Sequence, residues 1–179
     1  MIRPARPADA PDLVAIYARM LDEGMANPTP PPSDEDCAAD VRRADTDARF
    51  GTVVAEADGR IVGWGKLRPY MAGAVDLGAA ELSCYVLRSH RRQRVGQDIV
   101  LALMEAARAS GYHHLVARVI TDNPGGIALL EGLGFEVIGV QREVVRMHGR
   151  FYDLAILQHL LGPPDPARPA IGSATPPGP

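Results

Sequence analysis

The chain has 179 residues, 46% of them hydrophobic and 23% charged, with a net charge of −3. That balance suits one domain with a sizeable core and excludes a general electrostatic partnership with nucleic acid or an anionic membrane. Cys37 and Cys84 are the only cysteines, so there is no disulfide framework and no metal-ligand spacing. There is no apolar signal core at the N-terminus and no run of about 18 apolar residues, so a soluble, cytoplasmic protein without a metal is expected.

In chain order, Ile2 and Arg3 predict a short strand before Pro4 and Pro7. Asp9 stands where a helix N-cap belongs, followed by Leu13, Ile16, Tyr17, Met20 and Leu21 at helical spacing up to Gly24. Residues 27–32 (NPTPPP) are a stiff loop, and Ser33 with Asp36 caps a second, weakly apolar helix to about Arg43. Residues 52–57 and 60–67 flank Asp58-Gly59, a hairpin signature. Residues 70–78 form a flexible connection, residues 80–86 a strand, and residues 95–110 a helix whose core stripe is Ile99, Val100, Leu103, Met104 and Ala107. A short buried strand over 115–120 leads through Asn123-Pro124 into a helix closed by Gly134. Two strands, 135–145 and 151–161, then flank a turn at His148-Gly149. From Gly162 the last eighteen residues hold seven prolines and three glycines, a composition that cannot build a core. The predicted organisation is one domain over 1–161 and a loose tail over 162–179, with a mixed α/β sheet and helices on its faces.

The stretch 81–110 concentrates the chemistry. A strand ending at Val86 enters a loop carrying Arg88, Arg91, Arg92 and Arg94, and the loop opens a helix at Val95. Unpaired N–H groups and the dipole of a helix N-terminus make such a junction an anion site. The arginines strengthen that reading, although alone they would describe a solvated basic loop.

These residues resemble the GNAT superfamily of N-acetyltransferases. Arg91-Arg92-Gln93-Arg94-Val95-Gly96 is similar to the family's Q/R-x-x-G-x-G/A loop for the coenzyme A pyrophosphate. Asn123, Leu129, Glu131, Gly134 and Phe135 match its following motif. The strand residues Glu81, Ser83, Tyr85 and Val86, the pair His90-Arg91 and the late segment from His148 to Asp153 resemble the phosphinothricin acetyltransferase branch. The resemblance implies a mixed, mostly antiparallel sheet of about seven strands with helices on both faces, and acetyl-CoA as cosubstrate.

It also implies roles. Glu81 is the general base; the departing thiolate either leaves without a dedicated acid or takes its proton from another group, such as Tyr85 or a water. The amides of Val86 and Leu87 hold the thioester or pantetheine. Arg91, Arg92, Gln93, Arg94, Val95, Gly96 and Gln97 hold the pyrophosphate, with Asn123 near the pantetheine, and Arg68 and Tyr70 fall at the acceptor pocket. The expected reaction is direct attack by the primary amine of a small amino-acid-like acceptor in a ternary complex, in a protein that is commonly a homodimer. Glu81 also reads as an ordinary strand-end carboxylate, Asn123 as a helix N-cap and Arg68 with Tyr70 as a surface loop.

Three positions depart from the pattern. Arg94 replaces the loop's first glycine, Leu130 replaces the family's Tyr or His proton donor, and Gly126 replaces a small hydroxyl residue. They motivate two rival readings: a non-catalytic acyl-CoA-binding regulatory module, and an enzyme whose acceptor is a protein or peptide amine.

Overall fold

Successive side chains of a strand point to opposite faces, so each strand offers one set of residues to each side of a sheet. The computed structural model describes residues 1–26, 29–47, 49–70 and 78–162. It joins β1 (Ile2–Pro4), β2 (Gly51–Ala57), β3 (Arg60–Pro69), β4 (Ala79–Val86), β5 (His114–Ile120), β6 (Glu136–Met147) and β7 (Arg150–Leu160) into one sheet of order β1-β2-β3-β4-β5-β7-β6. Every neighbouring pair is antiparallel except β4 with β5. That one parallel pair requires a crossover, supplied by α3 (Val95–Ala109).

Two apolar layers fix which side chains face which way. Ala80 and Leu82 of β4 and Leu115 and Ala117 of β5 meet Ile99, Val100, Leu103 and Met104 of α3 on one face. On the other face Leu13, Ile16, Tyr17 and Met20 of α1 (Ala10–Asp22) and Cys37 and Val41 of α2 (Asp34–Arg43) cover Val54 and Trp64. Gly63 and Gly65 let α3 lie directly on β3. A Cβ at Gly65 would sit 2.6 Å from Ile99 Cγ2 and 2.8 Å from Leu103 Cδ1.

Several local expectations hold. Asp58 and Gly59 take φ values of 50° and 71°, both left-handed as a two-residue hairpin turn demands. Ser33 Oγ accepts from the Asp36 N–H at 3.1 Å. The strand at residue 135 begins one residue later and runs to Met147, because β-bulges near Gly139 and between Gln141 and Val145 absorb extra residues against β7.

One cap differs: Asp9 makes no side-chain bond into α1. Its carboxylate instead accepts from the Arg6 N–H at 2.6 Å and from Arg3 Nη1 and Nη2 at 2.7 and 3.0 Å, because a 3-10 turn over Pro7–Asp9 precedes the helix. The expected loops at 27–32 and 70–78 lie partly outside the described residues, and the expected tail does so from residue 163.

Candidate active site

Parallel β4 and β5 pair only at Ala79–His114, Ala80–Leu115 and Glu81–Val116. Beyond Glu81 they separate, while β4 stays bonded to β3 through Val86 and β5 stays bonded to β7 through Ile120. The divergence opens a wedge in the sheet, with one unpaired backbone edge on each side. A cavity of about 610 Å³ fills it. Leu82, Val100, Ala117, Val119, Leu129 and Leu130 give it apolar walls, and Arg92, Arg94, Gly96 and Gln97 bring it to the start of α3.

At that mouth the N–H groups of Val95, Gly96 and Gln97 have no acceptor one turn back in the helix. Arg94 is the N-cap residue, in the left-handed region at φ 67° and ψ −6°, so the arginine adopts the conformation that glycine takes without steric cost. Arg92, at φ 58°, does the same. Both side chains are exposed. Gly96 gives the wall its closeness, since a Cβ there would lie 3.0 Å from Leu129 Cδ2. An elongated group with an apolar body and an anionic end fits this wedge, and acetyl-CoA has that form.

Other loop residues are spent on the loop itself. Arg91 donates from Nε to the Val86 carbonyl at 3.0 Å and from Nη2 to Glu23 Oε2 at 2.6 Å, tying the end of α1 to the wedge. Gln93 Nε2 donates to the Ser89 carbonyl. The Leu87 N–H, expected to hold the thioester or pantetheine, donates to the Val62 carbonyl of β3 at 3.0 Å, whereas Val86 lines the wedge. Asn123 caps α4 (Pro124–Glu131), with Oδ1 accepting from the Gly126 N–H at 3.0 Å, and it also lines the cavity. Both expectations for it are therefore compatible. A Cβ at Gly126 would meet Asn123 Nδ2 at 2.8 Å, so the missing hydroxyl residue leaves room for this side chain.

A second cavity, about 220 Å³, lies on the opposite face beneath α1 and α2. Its floor is a ladder of cross-strand pairs, Trp64 with Tyr85, Lys66 with Ser83 and Arg68 with Glu81. Ser83 and Tyr85 line both cavities, so the two meet at β4. Glu81 is 4% exposed. Its Oε1 accepts from Arg118 Nε and Nη2 at 3.0 and 2.8 Å, and its Oε2 accepts from Arg118 Nη2 and Arg68 Nη2, both at 3.0 Å. A carboxylate offers about four lone-pair directions, and these arginines occupy them. Arg118 reaches across from β5 on the wedge side, and the half-exposed Arg68 reaches from the second cavity.

Tyr85 packs against Trp64 at 4.6 Å and Tyr17 at 5.2 Å between ring centroids. Burial pushes its phenol up to about 12, partly offset by a hydrogen bond with Ser83. Burial likewise pushes the Cys84 thiol up to about 12, which keeps it a neutral wall residue and not a nucleophile. Leu130 is buried in the wedge wall and brings no proton there. Tyr70 is 38% exposed at the edge of the second cavity's strand and does not line that cavity. Arg118 was not anticipated from sequence, although an arginine inside the apolar run HLVARVI was the available signal. Lys66 likewise shows its place only once the ladder is paired.

Known proteins agree with this architecture. The acetyltransferase (GNAT) family matches residues 18–135. An L-methionine sulfoximine/L-methionine sulfone acetyltransferase from Pseudomonas aeruginosa is 35% identical over 170 residues, covering 90% of this chain and 95% of that protein. The crystal structure of a phosphinothricin acetyltransferase from Sinorhizobium meliloti in complex with acetyl-CoA superposes with a TM-score of 0.85 at 26% identity, covering 96% of this chain and 94% of that one. A ribosomal-protein-alanine N-acetyltransferase from Brucella melitensis superposes with a TM-score of 0.81 at 31% identity, covering 89% and 99%.

Proposed function

The chain belongs to the GNAT family of acetyltransferases, and we propose that within it the chain acetylates the α-amine of a small free amino acid. Acetyl-CoA, when bound, supplies the acetyl group as a thioester. The wedge suits its placement: the apolar walls suit an acyl-pantetheine chain, the Val86 region offers an unpaired strand edge, and the α3 N-terminus with Arg92 and Arg94 offers donors to a pyrophosphate.

One observation carries the choice of acceptor. Arg68 and Glu81 stand opposite each other on the floor of the second cavity, a cation beside an anion. A free amino acid is a zwitterion whose carboxylate and ammonium lie side by side. Its carboxylate would take Arg68, the Glu81 partner with a single contact and a half-exposed side chain. That exchange would free one Glu81 oxygen for the ammonium proton, while Arg118 kept the carboxylate in place. The neutral amine would then attack from the point where the cavities meet, at Ser83 and Tyr85. This ternary arrangement needs no covalent enzyme intermediate. Tyr85 stays protonated at neutral pH and serves as hydrogen-bond donor to the departing thiolate. We place the enzyme in the cytoplasm, consistent with unpaired Cys37 and Cys84. We also assign it a homodimer, supported by apolar residues exposed on the edge strand β6.

The test is steady-state turnover of acetyl-CoA with methionine sulfone, with its carboxamide, and with a peptide bearing an N-terminal alanine. Methionine sulfone is expected to exceed the carboxamide by about tenfold or more in kcat/KM, because the carboxamide leaves Arg68 unpaired. Glu81→Gln is expected to lower kcat by about 10²-fold or more. A peptide that outperforms every free amino acid would replace this reading with a protein acceptor, and coenzyme A binding without turnover of any amine would leave only a binding module.

A further inference from the structure

Two arginines hold Glu81, and they approach it from different cavities. Arg68 lines the second cavity and not the wedge, whereas Arg118 lines the wedge and not the second cavity. Arg118 stands two residues past Val116, the last β5 position paired with β4, so it marks the vertex of the wedge. Its neighbour Ala117 packs in the core on the α3 face. Successive strand side chains alternate, so Arg118 turns to the face of the second cavity, as Glu81 does between Ala80 and Leu82. Arg118 binds Glu81 through Nε and Nη2 alone. Its Nη1 makes no hydrogen bond among the described residues, and the side chain is 35% exposed. A guanidinium held along one edge of its planar fork keeps donors on the other, and this one keeps them in the wall of the wedge.

We propose that Arg118 is a catalytic residue of the transfer step, donating from Nη1 to the thioester carbonyl oxygen as negative charge develops there. The inference rests on the reading of Glu81 as the base and of the second cavity as the acceptor site. A base lies about 3 Å from the nitrogen it serves, and that nitrogen lies about 3 Å from the carbonyl carbon it attacks. A carbonyl two such contacts from Glu81, arriving through the wedge, has Arg118 as the neighbouring cation on its own side. Arg94 stands at the far end, at the start of α3. The charges at the vertex support the same role. Two guanidinium groups there face one carboxylate. Once Arg68 turns to the acceptor's carboxylate and Glu81 takes the ammonium proton, Arg118 is left without a counter-ion. The nitrogen lone pair then bonds to the carbonyl carbon, and the C=O pair moves onto oxygen. That pair re-forms C=O as the C–S bond breaks. The sulfur leaves with the bonding electrons, and the second amine proton goes to it. A cation fixed in place beforehand stabilises the charged oxygen without reorganisation.

The carbonyl stretch of bound acetyl-CoA reports this contact without turnover. Infrared difference spectra of the full chain with carbonyl-¹³C acetyl-CoA, and no acceptor, are expected to place the band below that of the thioester in an apolar solvent. Arg118→Met is expected to move it back up. A band at the apolar-solvent position, or one that the substitution leaves unmoved, overturns the proposal. Kinetics separate this role from support of the base. In the Glu81→Gln background no carboxylate remains to be positioned, and none is left unpaired when the arginine is removed. There, at alkaline pH with part of the amine already neutral, adding Arg118→Met is expected to lower the residual kcat by a further factor of about ten or more. KM for acetyl-CoA is expected to stay within about twofold. An unchanged residual kcat would reduce Arg118 to a positioning residue and overturn the proposal. The band in the unaltered chain and the Glu81→Gln background keep the test decisive even if Arg118→Met alone fails to fold. A band that Arg118 lowers, without turnover of any free amino acid, sinks the acceptor reading alone. Turnover of methionine sulfone with an unmoved band sinks the role of Arg118 alone.

Discussion

Arg94 carries two opposed effects in one residue. Its backbone sits at φ 67°, where an L side chain costs about 1–2 kcal/mol and glycine costs nothing sterically. Its guanidinium is exposed at the cationic mouth of the wedge, where a charge-assisted bond to a phosphate, discounted for solvent, is worth roughly 1 kcal/mol. Arg94→Gly is therefore expected to raise stability by about 0.5–1 kcal/mol, after allowing for glycine's greater freedom in the unfolded chain. It is also expected to raise KM for acetyl-CoA about fivefold. Thermal melting and steady-state kinetics on the same preparation separate the two. A KM that falls would mean the arginine obstructs the phosphates instead of holding them. Glu81 poses a related issue, because the sequence motif locates the carboxylate but says nothing of its partners. Arg118 is 37 positions away and meets it only because β4 and β5 share a register at Val116.

At the scale of elements, the short first strand is held by charge and not by length. Arg3 bridges Asp9 and Glu56, joining β1, the 3-10 turn and β2. The Arg3 hydrogen bonds hold the Asp9 carboxyl below its ordinary 3.8. A carboxyl lowered on folding contributes stability above its unfolded pKa, and the contribution disappears as pH falls through the folded pKa. Asp9→Asn is thus expected to lower the melting temperature by about 4 °C at pH 7, from a loss of roughly 1–2 kcal/mol. The gap between variant and parent should narrow below pH 4, and a gap that persists unchanged at pH 3 would assign the loss to packing. This network was hidden in the sequence because Asp9 stands where a helix cap belongs, and an unforeseen 3-10 turn redirected its side chain. By contrast the Asp58-Gly59 turn, the Ser33 cap and the α3 stripe were legible, since each depends only on neighbours within one turn or one hairpin. The wedge was legible only through family likeness. It arises from where two strands, paired at positions 35 residues apart such as Glu81 and Val116, stop pairing, which no local pattern encodes.

The whole molecule is asymmetric about its wedge. On one side, the β1–β4 half of the sheet is covered by α1 and α2 on one face and α3 on the other. On the other side, β6 is the outermost strand and leaves Val137, Ile138, Val140 and Val144 between 43% and 54% exposed, with Phe151 of β7 at 58%. Among the described residues no element covers these side chains, so β6 carries more apolar surface than one subunit buries. A long edge strand with exposed apolar side chains invites edge pairing unless a partner covers it, and a two-fold axis lets one patch serve both copies. The proposed homodimer is therefore expected to form through β6. Light scattering at micromolar concentration should give twice the chain mass, and Ile138→Lys with Val140→Lys should give a folded monomer. Both cavities lie on other strands, at β3, β4 and β5, so acetyl-CoA binding by that monomer should stay within about threefold of the parent, a change under 1 kcal/mol. A parent protein that runs as a monomer, or a double variant that remains dimeric, would remove β6 as the interface.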